Sequence, residues 1–487
     1  MNKHLIITMI CLLLYSLAVL GQAQRPEELT FQPLRYDPPN PADYRVECAN
    51  GLRAYIQEDR SLPQFSISAL VNFGELYVPQ DKRGLGALMS ETLVQGGTKI
   101  REGEAIEERI NFLGGSLSFR VAERSAVLSL WVLSKDADEG LELFFDVLRN
   151  AEFREEPLNL ARFRLIAQLR QANDEPRNVL QREYEKLLYG DHPLTWQPNR
   201  NTYQNVTSAD LKAVHDKYFF PKNIILSASG DFDAAALKAK IDGFVVDWPN
   251  QDLSADEFAK EFPVPEPGVY FIQKDINQGY ISLGHLGIEE IHPDYYAVQV
   301  MNFILGGGSF TSRITTKVRS DEGLSYNQGS RFATRWGFPG PFSGYVQTKS
   351  ATVGYAISLI QEEFDRIRRE PVTNKEMDTA INYYLESFPS AFESPQRTMA
   401  TFAEMEMTGK PMDYYAKYRE NFRAVTRERV LEVARKYIRP EQMIILIVGD
   451  WEPCNQGGDK WSGPLDKLGP VHHLTLADPM TGEVTKQ

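Results

Sequence analysis

The sequence predicts an α+β protein in which one domain architecture occurs twice in the same chain. The first observation is an internal repeat, because Val206–Asp231 aligns without gaps with Val425–Asp450 at an offset of 219 residues. The second is that each copy has a helical pattern ending at a proline and then a β-branched run that closes at Gly-Asp. The third is an acidic, proline-rich stretch at Asp247–Gly268, which is typical of a linker between domains.

The first residues have the pattern of a secretory signal peptide. Lys3 and His4 precede an apolar run at 5–20, and Gly21-Gln22-Ala23 supplies the small residues that a signal peptidase requires. The run is short for a membrane-spanning helix and no stop-transfer charges follow it, so an uncleaved anchor is the alternative. No second apolar run has spanning length. We therefore expect residues 1–23 to be removed and the mature chain to be exported, with a bacterial periplasm as its compartment.

The two halves are predicted to begin in the same way. Residues 64–73 alternate apolar and polar side chains as a strand does, and a helical pattern at 85–94 follows them. In the second half, 278–287 leads in the same manner to a helical pattern at 295–305, which ends at three glycines. These correspondences predict a first domain at 40–248, a linker at 249–267, a second domain at 268–455 and a C-terminal extension of lower order at 456–487.

The composition excludes several classes of protein. Of the 487 residues, 42% are hydrophobic and 24% charged, which is typical of a globular chain. The formal net charge of -13 argues against binding to nucleic acid or to anionic membranes. Three cysteines and seven histidines exclude a disulfide scaffold, a cysteine-based zinc module and an iron-sulfur protein. After signal cleavage Cys48 and Cys454 remain, either free or paired with each other.

Three segments together resemble the M16 metallopeptidases, the family of pitrilysin and the mitochondrial processing peptidase. They are 84–98 (GLGALMSETLVQGGT), His192-Pro193 with the later Gly230-Asp231, and 305–326 (LGGGSFTSRITTKVRSDEGLSY). The resemblance covers nearly the whole mature chain. It implies two α/β rolls in one chain, of the metallohydrolase type also found in LuxS, and this agrees with the repeat.

The same resemblance implies that the zinc site of the family is lost. Active members carry His-x-x-Glu-His on a helix and a further glutamate on a later helix. The two histidines at i and i+4 bind zinc from one helical face, and the glutamate between them deprotonates the bound water. Here those positions fall on Ala87, Ser90 and Glu91, and the later one falls on Gln168. We expect no metal in this chain; a rebuilt zinc site would need a His/carboxylate cluster that the sequence lacks.

A second pair of family residues is retained. Arg319 and Tyr326 stand seven residues apart, where active members or their paired subunits carry an Arg and a Tyr. The tyrosine hydroxyl can donate to an oxyanion and the arginine can hold a substrate carbonyl. The alternative is structural, with Arg319 at a helix C-terminus and Tyr326 at a strand start. The preceding Gly306, Gly307 and Gly308 form either a substrate-facing loop or a tight turn that ends a helix.

These features lead to a hypothesis with one alternative. The chain resembles the non-catalytic subunit of a heterodimeric M16 peptidase, inactive alone, which contributes Arg319 and Tyr326 to a site on its partner. That partner is a homologous subunit carrying His-x-x-Glu-His and the zinc, and the substrate is a peptide. The alternative is a scaffold or peptide-binding protein that has the same fold and no enzymatic role.

Overall fold

Two six-stranded sheets covered by helices build the part of the chain that the computed structural model describes, residues 36–253 and 258–484. The predicted signal peptide at 1–23 lies outside the described residues. The strands are β1 (Arg45–Glu47), β2 (Arg53–Glu58), β3 (Gln64–Val71), β4 (Ser116–Val121), β5 (Ala126–Leu133), β6 (Ile224–Gly230), β7 (Gly268–Gln273), β8 (Gln278–Leu286), β9 (Asn327–Phe332), β10 (Pro341–Lys349), β11 (Ile444–Gly449), β12 (Gly457–Gly458), β13 (Trp461–Ser462) and β14 (Val471–Leu474).

Helices surround both sheets. They are α1 (Leu85–Thr92), α2 (Gly103–Phe112), α3 (Ala137–Asn150), α4 (Glu155–Leu169), α5 (Pro176–Tyr189), α6 (Arg200–Asn205), α7 (Ser208–Tyr218), α8 (Ala234–Val245), α9 (Tyr295–Asn302), α10 (Arg313–Thr315), α11 (Val353–Arg369), α12 (Asn374–Ser387), α13 (Pro395–Met407), α14 (Tyr414–Arg423), α15 (Arg427–Tyr437) and α16 (Trp451–Gln456). Of the described helices, none is long and apolar enough to cross a membrane. Helices α1, α3, α7 and α8 pack their apolar faces on the first sheet, and α9, α11 and α15 pack theirs on the second.

The two sheets confirm the predicted α+β duplication. The first has the strand order β1-β2-β6-β3-β5-β4 and the second the order β14-β7-β11-β8-β10-β9. The repeated segment occupies equivalent places, because β6 and β11 are each the third strand and are buried along their whole length. Both preceding helices begin at a threonine that accepts a backbone N–H three residues later, with N–O distances of 3.2 Å at Thr207 and at Thr426.

The outer edge is where the two sheets differ. In the first sheet β1 pairs antiparallel with β2, whereas in the second β14 pairs in parallel with β7. Strand β14 belongs to the segment 456–487, which we expected to be less ordered. This segment instead completes the second sheet, because the exposed edge of β7 offers unpaired backbone groups that an added strand can satisfy.

Each half also lends a helix to the sheet of the other half. Helix α5 of the first half lies on β8 and β11, where Tyr184 and Leu188 pack against Leu446. Helix α13 of the second half lies on β2 and β6, where Phe402 packs against Tyr55. The outer face of each sheet is therefore buried by residues from the opposite half.

The two cysteines of the described residues, Cys48 and Cys454, are free and buried. Burial in apolar surroundings raises the pKa of each thiol to about 11. The sequence left open whether Cys48 and Cys454 pair with each other, and in the structure they do not.

Candidate functional site

Helix α1, on which the sequence predicts the lost zinc motif, is anchored at its N-terminus by a partly buried carboxylate. Glu75 accepts the backbone N–H groups of Gly84 and Gly86 over 2.6 and 2.9 Å. Anionic groups are favourable at this end of a helix because its first N–H groups lack intrahelical partners. Gly84 has a φ of 96°, a left-handed conformation that favours glycine. The helix then packs against β4 and α4.

Structural contacts occupy the positions where the family has catalytic groups. Ala87 carries no ligand atom. The hydroxyl of Ser90 donates to the carbonyl of Gly86 over 2.8 Å and accepts the N–H of Val121, on β4, over 2.9 Å. Because β4 is the edge strand of its sheet, Ser90 satisfies a backbone donor that the edge would otherwise expose. Ser90, at the expected general-base position, thus takes the hydrogen bond of one backbone N–H at the end of the β4 edge.

The other two positions lie on the facing helices. The Glu91 carboxylate on α1 is 4.0 Å from the Arg164 guanidinium on α4, and both side chains are about half exposed. Gln168 is exposed and lies one helical turn beyond Arg164 on the same face of α4. A guanidinium therefore balances the charge of Glu91 in the region where the family would place a zinc ion.

This donor set does not suit zinc. A catalytic zinc site needs three N, S or carboxylate ligands directed at one point. The four positions offer an alanine, a hydroxyl already engaged in two hydrogen bonds, one carboxylate beside a guanidinium and an amide. Within residues 36–253 and 258–484, no group of three or more His, Cys, Asp or Glu side chains is arranged to hold a metal ion.

A cleft of about 350 Å³ lies beside these residues. Ser90 and Glu91 of α1 line one side, α2 contributes Ile106 and Glu107, and residues 116–119 of β4 form the opposite wall. An exposed strand edge in a cleft can pair with an extended peptide through backbone hydrogen bonds. The cleft therefore lies along part of the β4 edge, beside positions that carry no metal ligands.

The structure brings the second pair of family residues together. Arg319 lies in a π-helical turn at Thr316–Asp321, and Tyr326 immediately precedes β9. The Arg319 guanidinium carbon lies over the Tyr326 ring at 5.1 Å from its centre. Both residues have the positions that the structural alternative supposed, at a helix C-terminus and at a strand start, but the Tyr326 side chain is 88% exposed.

Phe310 is a third residue of this cluster, which the sequence did not predict. The Arg319 guanidinium carbon also lies over the ring of Phe310, at 4.6 Å from its centre, and Phe310 is 65% exposed. An aromatic residue directly after the glycines was the available signal. In the described part of the chain, the half-buried Arg319 makes no side-chain hydrogen bond or ion pair.

Packing accounts for two of the three glycines at 306–308. Gly306 and Gly307 end a π-helical turn at Phe303–Gly307 that lies against β9, and Gly308 follows it. A Cβ on the buried Gly306 would stand 2.2 Å from the backbone nitrogen of Ser330. One on Gly308 would stand 2.7 Å from the Phe303 carbonyl, whereas Gly307 is exposed. Close approach of two backbones therefore requires at least Gly306, and contact of the turn with substrate remains a prediction.

Two family models match the chain over adjacent regions. The model described as "Insulinase (Peptidase family M16)" matches residues 53–197, and "Peptidase M16 inactive domain" matches residues 205–384. An "Uncharacterized zinc protease YmxG" of Bacillus subtilis is 22% identical over 83% of this chain and 97% of its own. A "Non-peptidase homolog YmxG" of Helicobacter pylori is 22% identical over 74% of this chain and 82% of its own.

Solved structures share the fold. A peptidase M16 inactive domain from Pseudomonas fluorescens superimposes with a TM-score of 0.73 at 24% identity, covering 83% of this chain and 97% of that one. A protease from Helicobacter pylori superimposes with a TM-score of 0.72 at 18% identity, covering 83% and 98%. The similarity therefore extends across both halves.

Proposed function

Because this chain belongs to the M16 peptidase family and keeps neither the zinc-binding nor the general-base residues of that family, we propose that it is the non-catalytic subunit of an exported, heterodimeric zinc peptidase. In this proposal it closes the chamber of a partner that carries His-x-x-Glu-His, and it contributes Arg319 and Tyr326 to the partner's site. Export rests on the signal-peptide pattern at 1–23. The name of the Helicobacter pylori relative, a non-peptidase homologue, agrees with a loss of activity.

The observation that carries the proposal is the unpaired charge of Arg319. Arg319 is half-buried beside an 88% exposed tyrosine, and the described residues give its guanidinium no acceptor. Both side chains have donors for a peptide: Arg319 can hold a substrate carbonyl, and the Tyr326 hydroxyl can donate to the oxyanion of the tetrahedral intermediate. One such oxyanion donor is worth about 2.7–4 kcal/mol.

The scaffold alternative is favoured by a different observation. Ser90 and Glu91 make contacts that replace the catalytic ones, so the cleft beside β4 is stable without metal. A protein that only binds peptides or organises other chains would need nothing more. The two functions differ in whether Arg319 and Tyr326 affect turnover by a partner.

The test is co-purification with an exported homologue that carries His-x-x-Glu-His. We expect the chain alone to hold no stoichiometric zinc by metal analysis and to cleave no peptide, and the pair to be active. Tyr326→Phe should lower kcat by about 10²–10³-fold, because it removes a transition-state donor. Arg319→Ala should raise KM about ten-fold or more, because a hydrogen bond from a charged donor to the bound substrate is lost.

Arg109→Ala is the control, since Arg109 also lies over an exposed ring, that of Phe112 at 4.7 Å, but differs from Arg319 in pairing with Glu139. It should leave the kinetics of the pair unchanged. Unchanged turnover in both Arg319→Ala and Tyr326→Phe would rule out the shared site and leave the scaffold function.

A further inference from the structure

Phe310 is an exposed aromatic side chain, so packing in the core does not explain the presence of a phenylalanine at this position. Its ring is 65% exposed, and its described partner is the guanidinium of Arg319 at 4.6 Å from the ring centre. Exposure of a phenylalanine to water is unfavourable by the hydrophobic effect. Among the described residues, the contact with the Arg319 guanidinium is what offsets the exposure of this ring.

The backbone directs this ring outward. Phe310 lies in the short 3₁₀ turn Ser309–Thr311, and Ser309 has a φ of 47°, a left-handed conformation that is uncommon for a residue with a side chain. Hydroxyl groups hold the turn: Thr311 donates to the Gly308 carbonyl over 2.9 Å, and Ser312 donates to the Ser309 carbonyl over 3.0 Å. The orientation of Phe310 is thus a property of an ordered turn.

The contact with Phe310 restricts Arg319 without using its donors. A cation–π contact engages the face of the ring and the positive charge, and the N–H groups of the guanidinium stay available to an acceptor. An arginine held in one position loses less side-chain entropy when it binds a ligand than a freely rotating one. Phe310 and Tyr326 therefore give Arg319 a fixed direction before any ligand arrives.

We infer that Phe310 is a positioning residue, which orients the Arg319 guanidinium for a planar oxygen acceptor, the backbone carbonyl of a bound peptide. The ligand class rests on the function proposed above; the positioning of Arg319 does not depend on a partner. Phe310 acts through Arg319 and has no contact with the reacting atoms.

The positioning is measured on the isolated chain by NMR of the arginine side chains. The Nε–H signal of Arg319, assigned by its loss in Arg319→Lys, should be displaced by the ring currents of its aromatic neighbours. Phe310→Ala should move this signal toward the position of a solvent-exposed arginine, and Phe310→Tyr should leave it in place. A signal that is already at the solvent position, or that ignores Phe310→Ala, would overturn the inference.

The consequence for binding is measured in the active pair. Phe310→Ala and Phe310→Leu should raise KM by about two- to five-fold with kcat nearly unchanged, the size expected for one exposed cation–π contact. Phe310→Tyr should restore KM, because it keeps the aromatic face. Phe112→Ala, which removes the 78% exposed ring beside Arg109, should change neither constant.

Failure of the proposed function and failure of the positioning role of Phe310 give different results. If wild-type chain does not support the partner while the Arg319 signal responds to Phe310→Ala, the proposed function fails and the positioning stands. If wild-type chain supports the partner and Phe310→Ala matches it in KM and in the NMR signal, the positioning role fails alone.

Discussion

His215 shows how burial sets the pKa of a single ionisable side chain. It lies in α7, is 2% exposed and stacks on Phe219 with ring centres 4.5 Å apart. Its Nε2–H donates to the carbonyl of Leu148 over 3.0 Å. Burial, assisted by the charge of Lys212, lowers the pKa of His215 to about 4. The folded protein therefore holds this side chain neutral.

This pKa predicts that the free energy of unfolding falls between about pH 6.5 and pH 4. The unfolded histidine has its ordinary pKa near 6.5, so the unfolded chain binds the proton first as the pH falls. The stability that neutral His215 contributes is fully present above pH 6.5. Between pH 7 and pH 5 the free energy of unfolding should decrease by about 2 kcal/mol. Urea denaturation at the two pH values measures it, and His215→Gln should remove that part of the pH dependence.

His473→Gln is the control for this measurement, because His473 is exposed. It should retain the pH dependence of the wild type. His285 is also buried, and burial lowers its pKa to about 4, so a residual slope in His215→Gln is expected. An undiminished slope in His215→Gln would contradict the prediction.

At the scale of elements, two glycines of the π-helical turn at Phe303–Gly307 allow a packing role to be tested separately from contact with substrate. Gly306→Ala would place a Cβ 2.2 Å from the Ser330 backbone nitrogen, and β9 must shift to admit it. Such overpacking should cost about 1–3 kcal/mol of unfolding free energy. A Cβ on Gly307 would stand 2.8 Å from the side-chain nitrogen of Asn302 and 3.2 Å from its backbone oxygen, so Gly307→Ala should cost less than Gly306→Ala.

Urea denaturation of the two variants decides between these roles. Equal stabilities would contradict the packing explanation of Gly306. Because Gly307 is exposed, Gly307→Ala also tests substrate contact: a loss of peptide binding with stability retained would support the substrate-facing loop that the sequence suggested.

The sequence was most informative about elements that repeat. Thr207 and Thr426 mark the starts of equivalent helices, and the following β-branched runs became the buried strands β6 and β11. The edge strand β14 was missed, because a short segment with two adjacent histidines has no clear periodicity. It is a strand because β7 offers it an unpaired edge.

At the scale of the whole molecule, the exchanged helices join the two halves into one folding unit. Helix α13 covers Tyr55 and Ile225 of the first sheet, and α5 covers Leu446 of the second. Across the same boundary, Glu406 of α13 accepts from Arg45 over 2.9 Å and from the Tyr55 hydroxyl over 2.6 Å. Removal of either half would expose an apolar sheet face and leave buried polar groups unpaired.

We therefore predict that neither half folds alone. Chains cut between residues 253 and 258 should each aggregate or stay disordered when expressed separately, by circular dichroism and size-exclusion chromatography. Co-expressed, they should associate into a complex of native helix content, because the exposed faces are complementary. A stable, monomeric first half would contradict this prediction.

The sequence alone was enough to predict the duplicated α+β architecture and the family, both of which are confirmed, and it also predicts the loss of the zinc-binding residues. These follow from local periodicity and from the order of motifs along one chain. Tertiary structure decided that Ser90 closes the β4 edge, that Phe310 lies against Arg319 and that the halves exchange helices. The physical reason is that such contacts depend on how turns and neighbouring elements aim each side chain, and the residue types involved are equally compatible with other partners.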